Sequence, residues 1–295
     1  MQGFLLVDKP SGWTSHDVVA KCRGLLSTKK IGHAGTLDPM ATGLLVLGVG
    51  ACTKLLRFVQ EAPKTYEATA VFGVATDTLD ADGTVVERSP FTGTTEQIRK
   101  AAESFVGAIE QVPPMTSAIK IDGRKLYELA REGKEIDRPA RSVVIHSFTV
   151  DDVHRGEQTT EVSFSVCCSK GTYVRTLADD LAHAVGSIAH LSALRRTANG
   201  SLSVDTAHTI EALEAAAEAG QIGELLLDAI DGLPDLERVT LSDVDGRRVR
   251  NGVWIERDGS DVDDRNYVSM VHNGLLVAVY EIDGAVMKPA AVLPT

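Results

Sequence analysis

The sequence predicts an α+β fold followed by a small strand-rich module, on three observations. Helix-like and strand-like segments interleave without a sustained βαβ rhythm, which favours α+β over a doubly wound sheet. At 295 residues the chain exceeds the usual single-domain size, so two domains are expected. Gly232-Leu233-Pro234 then punctuates the chain, and the segments beyond it read as strands. The expected division is therefore 1–234 and 235–295.

The elements follow in order. Residues 4–7 are an apolar strand, and Thr14-Ser15-His16-Asp17 opens a helix over 18–26 with a Ser or Thr cap. Residues 44–50 are a short apolar run, most simply a buried strand, with a helix over 51–59 behind it. Residues 66–74 alternate and are rich in strand formers, while 94–106 read as a capped amphipathic helix. Gln111-Val112-Pro113-Pro114 breaks the chain, and 115–131 carries bases at Lys120, Arg124, Lys125 and Arg131. Strands over 143–153 and 161–168 precede a helix over 173–185 and an alanine- and glutamate-rich helix over 209–219 with a solvated acidic face. In the tail, 249–256 and 275–282 read as strands joined by glycine-containing turns.

Bulk properties narrow the function classes. Hydrophobic content of 43% and charged content of 24% are ordinary for a globular protein. No apolar stretch approaches the roughly 20 residues that span a bilayer, and no secretory signal is read at the N-terminus. The four cysteines (Cys22, Cys52, Cys167, Cys168) show no Cys-x-x-Cys spacing, so reduced thiols in a cytoplasmic protein are expected. Cys167 and Cys168 should point to opposite faces of a strand. A net charge of −11 speaks against nucleic-acid binding, but the charge is unevenly spread. Residues 1–60 hold seven Lys/Arg against three Asp/Glu, whereas 201–238 hold one base against nine acids. Steering depends on the local patch, and the start of the chain is basic.

One segment carries most of the chemical information: Lys30-Ile31-Gly32-His33-Ala34-Gly35-Thr36-Leu37-Asp38-Pro39-Met40-Ala41-Thr42-Gly43. It sets one carboxylate, Asp38, among glycines, small residues and a proline. Pro39 bars Asp38 from the helical region. Gly32, Gly35 and Gly43 permit sharp turns and close approach of a ligand. An acid held rigidly against a buried strand is how a nucleophile or general base is presented. Taken alone, an Asp-Pro pair is more often an Asx-type turn.

In its company, the segment resembles the active-site signature of the TruB family of tRNA pseudouridine synthases. Three further blocks agree in order and spacing. Gly3-Phe4-Leu5-Leu6-Val7-Asp8-Lys9-Pro10-Ser11-Gly12-Trp13-Thr14-Ser15 is similar to the family's opening motif, and Lys64-Thr65-Tyr66-Glu67 to its Lys-x-Tyr motif. Ser169-Lys170-Gly171-Thr172-Tyr173-Val174-Arg175-Thr176, followed by Leu194-Arg195-Arg196, is similar to its Gly-Thr-Tyr-x-Arg block.

The resemblance implies a pseudouridine-synthase mixed-sheet catalytic core over 1–234, with an RNA-gripping insertion at about 111–140 and a PUA-like domain over 235–295. It implies conversion of uridine 55 to pseudouridine in the T loop of tRNA. That reaction breaks an N-glycosidic bond, rotates the base and rejoins it through carbon, so neither cofactor nor metal is expected. By resemblance Asp38 is the nucleophile; attack on the uracil ring and attack on the anomeric carbon both stay open. Arg175 takes the family's active-site arginine position and is expected to pair with Asp38 and hold it charged. Tyr66 takes the active-site tyrosine position, expected to stack on the target base and move a ring proton. Without the motifs, Arg175 would read as a surface arginine and Tyr66 as core. His33 is expected to fill the stack that a flipped uridine vacates; alone it would be a turn histidine. Tyr173 and Leu194 match positions lining the uridine pocket. Lys64 positions its neighbours, and Lys9 either meets phosphate or supports the Asp38 loop.

The family's usual Tyr-Ser-Ala-x-Lys stands here as Thr116-Ser117-Ala118-Ile119-Lys120, which removes one aromatic contact from the insertion. Seven bases and five acids over 120–141 also suit a simple solvated helix. Asp80-Ala81-Asp82-Gly83 echoes a calcium loop without its ligand spacing or closing glutamate. The glycine-rich 32–50 region lacks phosphate-loop and dinucleotide-loop spacings, and no zinc motif is present. The expected partner is the folded T arm of tRNA, read mainly by shape, with no membrane and no obligate protein partner, by a monomer. Two rivals remain at this level: an RNA chaperone for tRNA folding, and a pseudouridine synthase for T-loop-like hairpins in other RNAs.

Overall fold

The computed structural model describes residues 1–117, 120, 121, 123–126, 129, 132–134, 136–256 and 267–294, with Lys120, Ile121 and Lys125 as backbone alone. Within the expected insertion, Ala118, Ile119 and Arg131 lie outside the described residues. The chain divides into two compact units. One comprises Met1–Pro39, Gly43–Ala62 and Ala198–Thr295, the other Met40–Thr42 and Pro63–Thr197.

In the first unit the expected opening strand is Gly3–Lys9, antiparallel to Thr42–Val49, with Leu5 opposite Leu47. Strand side chains alternate, yet nearly every residue of both strands is buried. Both faces are covered. Phe4, Leu6, Leu44 and Val46 enter one hydrophobic cluster, and Leu5, Val7, Leu45, Leu47 and Val49 another. That explains why these strands read as continuous apolar runs. At about 1.5–3 kcal/mol per buried large side chain, they anchor everything attached to them. The helix Ser15–Leu25 begins as expected, with Thr14 and Asp17 forming a reciprocal capping box. The expected helix over 51–59 is split into a tighter turn, Gly50–Leu55, and a short helix, Leu56–Glu61.

The tail is strand-rich, as expected. Five strands lie in the order Glu237–Thr240, Tyr267–His272, Leu275–Asp283, Val286–Val292, Ile255–Glu256, with the first pair parallel and the rest antiparallel. Val249, Val268, Met270, Val277 and Tyr280 form their core. The expected strand over 249–256 is corrected: Asp243–Arg250 is a helix, and only Ile255–Glu256 is extended. Ser242 caps it, Asp243 and Asp245 occupy its first turn, and Arg247, Arg248 and Arg250 its last. Charges placed this way complement the helix dipole at both ends.

The second unit is built on strands in the order Ala189–Asn199, Lys64–Phe72, Thr160–Cys168, Arg141–Arg155, Gly107–Gln111. Tyr66 lies opposite Val166, and Lys64 opposite Cys168. Cys168 is buried and Cys167 only half-buried, in keeping with the opposite faces expected. Two helices match expectation: Thr95–Ser104, with a capping box between Thr94 and Gln97, and Val174–Ala184. The strand Ala189–Asn199 was not foreseen.

Candidate active site

In the first unit, the residues on either side of Asp38 are pinned by the opening motif. Ser15 is wholly buried; its Oγ accepts from Leu37 N at 2.9 Å and donates to Leu37 O at 3.3 Å. Gly12 N donates to Pro39 O at 2.8 Å. Lys9 Nζ donates to Pro39 O at 3.2 Å, Pro10 O at 2.9 Å and Trp13 O at 2.7 Å. Lys9 is 0% exposed, and a buried ammonium persists only when its donors are engaged. Of the two roles left open for Lys9, these bonds favour support of the Asp38 loop. Asp38 is half-buried in an irregular stretch directly before the buried Thr42–Val49 strand. Gly35 and Gly43 have φ of +120° and +98°, conformations that a side chain would strain. His33 ends the short strand Ile31–His33, its ring edge-on to His16 with centroids 5.5 Å apart.

In the second unit, Lys64 and Tyr66 share one face of their strand by two-residue spacing, Lys64 buried and Tyr66 half-buried. Arg175 sits in the first turn of Val174–Ala184 and is only 4% exposed. Its guanidinium is held in place from several sides. Nη1 donates to Asp80 Oδ2 at 2.9 Å, Thr78 O at 3.1 Å and Thr116 Oγ1 at 2.6 Å, and Nη2 donates to Thr116 O at 3.3 Å. Asp80, 5% exposed, also accepts through Oδ1 from Thr78 Oγ1 at 2.5 Å and Asp82 N at 3.2 Å.

Asp80, which in the sequence only echoes a calcium loop, is an arginine anchor. Thr116 matters for a similar reason. Noted in the sequence only as a missing aromatic, it supplies Arg175 with two acceptors.

Tyr173 precedes that helix without capping it by its side chain. Instead the buried Gln111 amide grips its backbone, accepting from Tyr173 N at 2.7 Å and donating to Tyr173 O at 3.1 Å. Gln111 read in the sequence only as part of a chain break. Leu194 is buried on Ala189–Asn199, a strand tied to the Asp80 turn through Leu191 N donating to Leu79 O at 3.0 Å. The structure thus brings Lys9 to the Asp38 loop, and Arg175 and Tyr173 to Asp80, Thr116 and Gln111.

Burial pushes the Cys22, Cys52 and Cys168 thiols up to about 11, so they stay protonated and are poor nucleophiles at neutral pH. Burial also raises Asp180, on the arginine helix, to about 6, with the Asp179 charge adding to the effect. Among the described residues no helix is long and apolar enough to cross a membrane, and no group of three or more His, Cys, Asp or Glu is placed to hold a metal.

Comparison with known proteins gives a consistent result. The profile of the TruB family pseudouridylate synthase (N terminal domain) matches residues 23–174, and that of the tRNA pseudouridylate synthase B C-terminal domain matches residues 175–233. Three similar proteins, each called tRNA pseudouridine synthase B, come from Ralstonia nicotianae, Geobacter sulfurreducens and Bacillus subtilis. The first is 49% identical over 85% of this chain and 80% of its own length. The second is 41% identical over 95% and 93%, and the third 40% over 99% and 98%. Among solved structures, an H/ACA RNP bound to a substrate RNA containing 2'-deoxyuridine aligns at TM-score 0.74 and 22% identity, over 99% of this chain and 85% of that one. That likeness gives the fold, a mixed α/β pseudouridine-synthase architecture.

Proposed function

The chain belongs to the TruB family of pseudouridylate synthases, and from that premise we propose that it isomerises uridine 55 in the T loop of tRNA. Pseudouridine formation in tRNA is the activity its relatives' names carry. The observation that supports this reading best is the rigid mounting of an acid loop and an arginine at the family's positions. Leu37 and Pro39 are fixed around Asp38 by Ser15, Gly12 and Lys9, and Arg175 is fixed by Asp80 and Thr116. Such preorganisation lets a site act on developing charge without reorganising.

In the proposed mechanism the target uridine leaves its stack, at a cost of a few kcal/mol, and His33 fills the space. Asp38, kept ionised by Arg175, acts as nucleophile on the uracil ring or on C1′ while the N1–C1′ bond breaks. Its bond to the substrate breaks again before product leaves, returning the carboxylate. The base turns, C5 bonds to C1′, and the C5 proton is lost to solvent, with Tyr66 stacked on the ring and assisting that transfer. Tyr173 and Leu194 line the pocket, and Lys64 holds its neighbours. No redox change and no phosphoryl transfer occur, so the reaction draws on no cofactor. Residues 1–234 form the catalytic domain, with an RNA-gripping insertion at about 111–140, and 235–295 a PUA-like domain. The protein acts as a cytoplasmic monomer on the folded T arm.

The test is tritium release from 5-tritiated uridine in an unmodified T-arm hairpin, comparing wild type with Asp38→Asn. Release by the wild type alone is expected. Release by Asp38→Asn at the wild-type rate would remove Asp38 as nucleophile, and equal release from an unrelated hairpin would remove the specificity for the T arm.

A further inference from the structure

Gln111 ends the strand Gly107–Gln111 and is only 2% exposed. Its amide meets both backbone groups of Tyr173: Oε1 accepts from Tyr173 N at 2.7 Å, and Nε2 donates to Tyr173 O at 3.1 Å. A terminal amide is planar, with an acceptor and a donor side by side, so it pairs with a residue's N–H and C=O as a neighbouring strand would. Tyr173 O also accepts from Leu177 N at 3.0 Å, the bond that opens the helix Val174–Ala184. The start of the arginine helix is therefore fixed from outside as well as from within.

Five residues after Gln111, Thr116 supplies Arg175 with two acceptors, Oγ1 at 2.6 Å from Nη1 and O at 3.3 Å from Nη2. Pro113 and Pro114 stand between them, both buried. Proline fixes its own φ and holds the residue before it extended, so this link bends little. One stiff strap, 111–116, thus grips the beginning of the helix at two points: the Tyr173 backbone and the Arg175 guanidinium. On the reading that Tyr173 lines the uridine pocket and Arg175 keeps the nucleophile charged, we propose that Gln111 is a positioning residue of the isomerisation. It sets the pocket wall directly and the guanidinium through the prolyl strap and Thr116, so that the two are placed as one unit. An amide neither titrates nor carries a charge, so Gln111 contributes placement alone. Placement is enough to matter, because a shift of about 1 Å at a reacting group costs up to about 100-fold in rate.

Steady-state tritium release from the T-arm hairpin separates this role from a merely stabilising one. Gln111→Met keeps the length of the side chain and removes both hydrogen bonds. Gln111→Asn keeps the amide but withdraws it by one methylene. We expect kcat to fall by roughly 10- to 100-fold with methionine and by about tenfold with asparagine, while KM stays within about threefold of wild type. Thermal melting sets the assay well below every Tm, so each variant is measured folded; should Gln111→Met not fold, Gln111→Asn carries the comparison. Thr116→Val removes the hydroxyl acceptor at little change of shape and should also lower kcat. In the double variant Gln111→Asn/Thr116→Val, the loss should fall at least about threefold short of the product of the two single losses, because both release the same strap. Wild-type kcat in folded Gln111 variants, a loss confined to KM or to Tm, or losses that multiply fully in the double variant would each overturn the proposal. A wild-type protein that releases no tritium would instead remove the proposed function, and this role with it.

Discussion

Asp80 offers the sharpest test of how the arginine side of the site is held. Its carboxylate and the Arg175 guanidinium have side chains 8% and 5% exposed, so the pair is desolvated on both sides. Removing one partner of such a pair leaves an uncompensated buried charge, which costs about 3–5 kcal/mol. Arg175 keeps Thr78 O, Thr116 Oγ1 and Thr116 O, so the lower end of that range is expected. Asp80→Asn and Asp80→Ala separate two contributions. Asparagine retains an acceptor for Thr78 Oγ1 and Asp82 N; alanine orphans both, adding about 1–3 kcal/mol. We therefore expect Asp80→Asn to lose about 3 kcal/mol, roughly 6–12 °C in Tm for a protein of this size. Asp80→Ala should lose more. Tritium release should fall at least about tenfold in Asp80→Asn, because a loosened guanidinium misplaces the charge it offers. RNA affinity, measured by filter binding, should change little. An Asp80→Asn protein with wild-type Tm and wild-type turnover would refute the view that Asp80 positions Arg175.

The remaining predictions concern other parts of the structure. Lys9→Met removes the donor that holds three carbonyls, so it should lose about 2–4 kcal/mol in a urea titration and slow tritium release; unchanged turnover would free the Asp38 loop from Lys9. Gly200 has φ of +55°, and a Cβ there would lie 1.9 Å from Asp235 Oδ2, so Gly200→Ala should cost about 1–3 kcal/mol and detach Asp235 from Ser201. Burial, with the Asp179 charge, raises Asp180 from the ordinary aspartate range to about 6, so the native state holds a proton that the unfolded chain has released between about pH 4 and 6. Stability should fall as pH rises through that window, by about 1–2 kcal/mol once solvent screening at this half-buried group is allowed for. Asp180→Asn should raise Tm at pH 7 and leave it unchanged below pH 4, and an equal shift at both would show that the carboxylate is not destabilising.

What could be read from the sequence, and what could not, divides along physical lines. Local signals survived: the Thr14 and Thr94 caps start helices because their partners, Asp17 and Gln97, lie three residues away. The Asp38 loop was legible because proline and glycine act on their own backbone. The strand Ala189–Asn199 was hidden because its buried positions include Arg196 and Asn199, polar residues that blur the alternation. The helix Asp243–Arg250 was misjudged for another reason. Its signal is charge placement at the two ends, while its only buried positions are Gly246 and Val249, too few for a periodic pattern. Asn273-Gly274, both at positive φ, joins His272 to its partner Leu275, a two-residue hairpin signal carried by the sequence itself. The Arg175–Asp80 pair spans 95 residues, so only tertiary structure could join them. The same holds for Gln111 and Tyr173, 62 residues apart.

The buried cations bear on how an acidic protein handles RNA. Among the described residues Lys9, Lys64, Arg175 and Arg196 are all at most 6% exposed, and all four lie in the motif-bearing blocks. Lys9 and Arg175 donate to backbone carbonyls and, for Arg175, to a carboxylate, so their charge is already committed within the protein. Groups in that condition release few counterions on binding, and they add little to the salt-dependent affinity that surface lysines and arginines provide. Discounting them leaves the exposed surface more acidic than the net charge of −11 suggests. On the proposed function, affinity for the T arm must then come from local basic stretches such as 1–60, from shape, and from the extruded base. Lys9 is bonded to the Asp38 loop, and Arg175 ties its helix to Asp80 and Thr116. Grip on the RNA has to come from somewhere else on the protein.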